Sequence, residues 1–169
     1  VKRSWDAAVG QMTVQMTQTT SATPGQLEKQ PLVLPLAMAL VGPEGRLGDE
    51  ALVVMEGDTM TTTLQGQPNS SPPALSFLRR FSAPLIVQMD QSLQENLQLF
   101  SADDDPFSRW DAGQRLARQV LLARAQGGRD QAVEAALIEA MQQRITAGQA
   151  KDRADLAALL SLPGMAELE

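Results

Sequence analysis

Between residues 11 and 89 apolar and polar positions alternate with a period of two; beyond Asp90 the apolar positions recur every three to four. Met12, Val14 and Met16 alternate with Gln11, Thr13, Gln15 and Thr17, as in a strand with one buried face. Leu32, Leu34, Leu36, Met38 and Leu40 share one face of a longer, central strand. Pro35, which has no N–H to donate, predicts an edge or a bulge within it. Turn chemistry follows at Gly42-Pro43-Glu44-Gly45 and around Gly48. Shorter strands are predicted over 52–55, 59–64, 75–81 and 85–89. About seven strands at this spacing, with no helical window between them, predict an antiparallel sandwich.

After Asp90 the sequence predicts helices. Ser92 and Glu95 form a capping box, with Leu93, Leu97 and Phe100 at helical spacing behind it. Asp105 and Pro106 supply a second cap and first helical position, and the stripe Phe107, Trp110, Ala117, Val120 and Leu121 runs on to Gly127-Gly128. A third helix is expected over 130–147, buried through Val133, Ala136, Leu137, Ala140, Met141 and Ile145 and stopped at Gly148. Asp152 is expected to cap a fourth, with Leu156, Leu159 and Leu160 inward, broken at Leu162-Pro163-Gly164. Short links make sequential helices antiparallel neighbours, as at the opening of a helical solenoid. The expected organisation is therefore an immunoglobulin-like β-sandwich over 1–90 and the first helices of an all-α domain over 91–169. Trp5 falls in what reads as a frayed terminus. Residues 163–169 read as a helix cut after its first turn, so the chain is expected to be a piece of a longer polypeptide.

Composition narrows the chemistry. Aromatics are only 4% of residues, so Leu, Ala, Val and eight Met must fill the core. The net charge is −6; residues 1–90 carry 6 basic against 8 acidic side chains, and residues 91–169 carry 8 against 12. Neither half is basic, which argues against a nucleic-acid surface. No apolar run approaches the roughly 20 residues of a membrane span, so a soluble chain is expected. The absence of cysteine fits a reducing compartment. The absence of histidine removes the commonest metal ligand and the commonest general base together.

No catalytic and no metal-binding residue is assigned. Asp103-Asp104-Asp105 lacks the alternating acids, central Gly and distal Glu of a calcium loop, and reads as a cap and solvated turn. There is no nucleophile elbow, and Gly42-Pro43-Glu44-Gly45 lacks the ending of a phosphate loop. Phe107 and Trp110, three apart on one helical face, form the most distinctive pair. An aromatic ligand platform is one reading of them; core packing between the two halves is the preferred one. Asp111 and Arg115 stand at ion-pair spacing.

These residues also carry a resemblance. Ala22-Thr23-Pro24-Gly25-Gln26, Glu28-Lys29-Gln30-Pro31-Leu32, Leu34-Pro35, Phe81-Ser82-Ala83-Pro84 and Phe107-Ser108-Arg109-Trp110-Asp111-Ala112 resemble, in order and spacing, the bacterial aminopeptidase N family of gluzincin zinc peptidases. Residues 42–71 match poorly, and Pro106 departs from the usual residue before the Phe. The resemblance implies a four-domain, cytoplasmic enzyme that removes N-terminal residues from peptides. Its zinc motif would lie upstream, in a thermolysin-like domain outside this chain. No zinc ligand or catalytic residue of that family maps here. The chain would be the small sandwich plus the start of the helical cap, its partners the remaining domains and its role structural. A stand-alone protein-binding module is the alternative, and an autonomous enzyme ranks last.

Overall fold

A computed structural model describes residues 1–146 and 153–164. Two three-stranded sheets face each other. The first has the order β1 (Lys2–Asp6), β2 (Gln11–Thr17), β5 (Thr59–Gln65); the second has the order β4 (Gly45–Met55), β3 (Leu34–Gly42), β6 (Ala74–Phe77). Every pairing is antiparallel. Met12, Val14, Met16 and Leu64 of the first sheet pack against Leu36, Met38, Leu40, Met55 and Leu75 of the second. The alternation read over β2 is thus the core face of the sandwich.

β3 differs from its neighbours because both of its faces are buried. Leu36, Met38 and Leu40 fill the sandwich, whereas Ala37, Ala39 and Val41 are buried on the opposite face, where Val41 joins the helical core. Small residues on that side let the helices approach. Pro35 lies before the stretch of β3 that pairs with β6, so it has a paired neighbour on one side only, in accord with its missing donor. The register shift falls between Met38 and Leu40 instead.

Three strand assignments are corrected. The segment around Trp5 is not frayed: β1 pairs along β2, and the Trp5 indole packs over Gly66 and against the sandwich core. Only five residues long and charged at three of them, β1 is too short for its alternation to stand out. Residues 85–89 form no strand. Pro84 cannot donate to a ladder, and Ala83, Leu85 and Met89 instead fasten an extended strap across the sandwich core. The strap is tied by the Val1 ammonium to the Gln88 carbonyl (2.7 Å) and by Ala37 N–H to Ser82 Oγ (3.0 Å). The strand expected over 75–81 stops at Phe77, where Leu78 takes a left-handed φ of 56° and a 3₁₀ turn, Arg79–Phe81, follows. Six strands result among the described residues.

Four helices follow among the described residues: α1 (Leu93–Ala102), α2 (Pro106–Ala125), α3 (Gln131–Thr146) and α4 (Arg153–Leu159). The capping box at Ser92 and Glu95 is formed in both directions, and Asp105 caps α2 with Pro106 at its first turn. The face α2 buries is Ser108, Ala112, Gly113, Leu116 and Ala117, rotated from the expected aromatic stripe. Gly113 explains the rotation: a Cβ there would stand 2.9 Å from the buried Phe100 ring, so the α1–α2 crossing requires a hydrogen at that point. Leu137 and Ala140 of α3 and Leu159 of α4 complete this second core, and Val133 is buried as well, whereas Ile145 and Leu160 are exposed. The stops and caps expected at Ala147, Gly148 and Asp152, and all but the first two residues of the cut helix expected over 163–169, lie outside the described residues. No helix among the described residues is long and apolar enough to cross a membrane.

Candidate functional site

The chemistry of the chain is concentrated where sheet and helices meet. β4 brings Glu50, β6 brings Ser76, the 3₁₀ turn brings Arg79, the link between α1 and α2 brings Asp103 and Asp104, and the first turn of α2 brings Ser108. Arg79 is only 3% exposed. Its Nε donates to Glu50 Oε2 (2.7 Å), Nη1 to Asp103 Oδ1 (2.6 Å) and Ser76 Oγ (3.0 Å), and Nη2 to Asp104 Oδ1 (2.5 Å). Ser76 Oγ donates in turn to Ser108 Oγ (3.1 Å), which donates to Asp105 Oδ2 (2.8 Å). All three nitrogens of one buried guanidinium thus donate, two of them to the α1–α2 link, so that a single fork ties the sandwich to the helices.

Electrostatics follow from that geometry. Burial alone would loosen the proton of Arg79, but hydrogen bonds to Glu50 and Asp104 and the charge of Asp103 outweigh it, raising its pKa above arginine's already high value. Burial alone would likewise raise Asp104. Arg79 and Arg46, whose Nε donates to Asp104 Oδ2 at 2.9 Å, instead hold it below the ordinary aspartate range.

The reading of residues 103–105 as a solvated turn is therefore corrected. Asp103 is 2% exposed and Asp105 4%, and only Asp104 reaches solvent. Asp105 does cap α2, accepting from Ser108 N–H (2.9 Å), and it also accepts from Arg80 N–H (3.1 Å). Nor do these carboxylates suit a cation, because Arg79 already occupies that role. Among the described residues no three His, Cys, Asp or Glu converge on a point that could hold a metal ion. Zinc, which the resemblance attaches to the longer enzyme, finds no fitting donor set here.

Phe107 and Trp110 lie beside this polar centre, both half-buried. Their rings are 5.9 Å apart, and the Phe107 ring is 5.3 Å from that of Phe81. Trp110 packs against the helical core, and Phe81, on the sandwich side, meets Phe107. Asp111 and Arg115 pair one helical turn further on. Arg79 itself was missed by sequence reasoning. The available signal was two arginines ending an apolar strand pattern in a chain whose only run of three carboxylates opens a helix.

Comparison with known proteins now adds context. Residues 1–90 match the family described as a domain of unknown function (DUF3458) with an Ig-like fold, and residues 93–169 match its companion (DUF3458_C), described as ARM repeats. An aminopeptidase N of Caulobacter vibrioides is 40% identical over 169 residues, 99% of this chain and 19% of that protein. An aminopeptidase N of Escherichia coli is 29% identical, over 99% of this chain and 20% of its own length. The chain thus spans about a fifth of the length of these relatives. The crystal structure of Legionella pneumophila aminopeptidase A in complex with aspartic acid superposes with a TM-score of 0.77 at 18% identity, covering 99% of this chain and 18% of that one, a likeness of fold.

Proposed function

The chain belongs to the family of the DUF3458 Ig-like domain and is homologous to aminopeptidase N, and on that premise we propose that it serves as a non-catalytic spacer within a longer peptidase. Residues 1–90 form the domain that meets the catalytic part, and residues 91–169 begin the helical cap. The parent removes N-terminal residues from peptides with a zinc ion held by residues outside this stretch, in the cytoplasm. Its remaining domains are the chain's partners, and peptide reaches the chain only through the parent. The sequence supports the division of labour, since neither histidine nor cysteine is present to bind zinc.

The observation that carries the spacer reading is Arg79. A single buried side chain with partners on β4, β6 and the α1–α2 link fixes sheet against helix, which is what a rigid spacer needs. Phe107 and Trp110, with Phe81, form the apolar flank of the same seam. By setting the angle of the cap, the seam controls which peptides reach the distant zinc. In the parent enzyme, Trp110→Ala is expected to change the ratio of kcat/KM for a long peptide to that for a dipeptide, and to lower Tm. An unchanged ratio with an unchanged Tm would refute the reading. The isolated chain, supplied with zinc and an alanine anilide, is expected to show no turnover.

A further inference from the structure

The turn that carries Arg79 is strained. Leu78, Arg80 and Phe81 have φ values of 56°, 56° less two and again 54°, all in the left-handed region, and none is glycine or asparagine. A residue with a Cβ adopts that conformation at a cost, and three in four positions persist only where the surroundings over-determine them. Local sequence offers no reason for it, since Leu and Phe have no side-chain group to bond their own backbone. The surroundings do. Arg79 is caged by Glu50, Asp103 and Asp104, Arg80 N–H is held by Asp105 Oδ2, and Leu78 is locked into the sandwich core.

We propose that residues 78–81 are a strained latch: the carboxylate cage around Arg79 holds the turn in a left-handed form that it abandons once the cage is removed, and that form sets the seat of α2 on the sandwich. Arg79 is then a positioning residue, acting on the backbone of its neighbours. This inference concerns the chain by itself and stands or falls independently of the peptidase reading.

The test compares alanine with glycine at position 80. The Arg80 side chain is largely exposed and pairs with Glu50, so both Arg80→Ala and Arg80→Gly delete that pair and differ only in the Cβ. With Arg79 intact, the glycine variant is expected to melt about 2–4 °C above the alanine variant, because strain is relieved. In an Arg79→Met background the turn is free to relax, and glycine then melts at or below alanine because of its greater unfolded freedom. An advantage of glycine that persists undiminished in the Arg79→Met background would overturn the proposal, as would its absence with Arg79 intact. Should Arg79→Met not fold, Asp103→Asn, which keeps the shape and removes the charge, takes its place with the same two outcomes. A merely structural Arg79 would lower every melting point without changing the order of the pair.

Discussion

At the scale of single residues the centre of gravity is Arg79, whose buried charge is compensated by the carboxylates around it. Buried ion pairs contribute little net stability, yet removing one partner leaves the other stranded. Asp103→Ala is therefore expected to cost about 3–5 kcal/mol, read from urea unfolding, whereas replacing Arg79 and Asp103 together with Met and Leu should cost much less. Asp104 gives the junction a pH dependence of definite sign. Its pKa is held down in the folded chain, so its ionised form contributes stability above the ordinary aspartate value and loses it as pH falls through the folded value. Urea midpoints should drop on acidification from about pH 4 downward, and Asp104→Asn should flatten that drop. Glu134, held low by Arg129 and Arg124, titrates with the same sign at the α2–α3 turn and serves as the comparison site. Asp105→Ala removes a cap and the anchor of Arg80 N–H, with an expected loss of about 1–2 kcal/mol by chemical denaturation.

Among the elements, the crossing of α1 and α2 depends on Gly113. Alanine is ordinarily the better helix former, but here its methyl group would meet the fully buried Phe100 ring. Gly113→Ala is expected to destabilise by about 1–3 kcal/mol, and Phe100→Leu should recover part of that loss in the double variant. Most elements were legible in the sequence where a local signal is strong: the two-residue alternation of β2, the turn after Gly42, the capping box at Ser92 and the Asp105-Pro106 start. What escaped depended on distant partners. β1 is defined by pairing with β2 rather than by its own pattern, and the strap over 82–91 has the alternation of a strand but a proline where a ladder would need a donor. The inward face of α2 was misjudged because close approach favours small side chains, and periodicity counts only large ones. The junction was the least legible feature. Arg79 and Asp103 are 24 residues apart and only the fold brings them together.

On the scale of the whole molecule, sequence similarity separates residues 1–90 from residues 93–169, but β3 belongs to both cores. Its leucines and methionine complete the sandwich, and its Val41 joins the core formed by the helices. The helices consequently cannot keep their packing once that strand has come apart, nor can the sheet lose its cover without wetting Val41 and Ala74. Thermodynamic cooperativity should therefore ignore the boundary between the two similarity regions. Scanning calorimetry is expected to record one endotherm whose van't Hoff and calorimetric enthalpies agree, and two resolved peaks would contradict it. A strand shared in this way makes the sandwich and the helices a single mechanical body, so that a load applied to one end would be felt undiminished at the other.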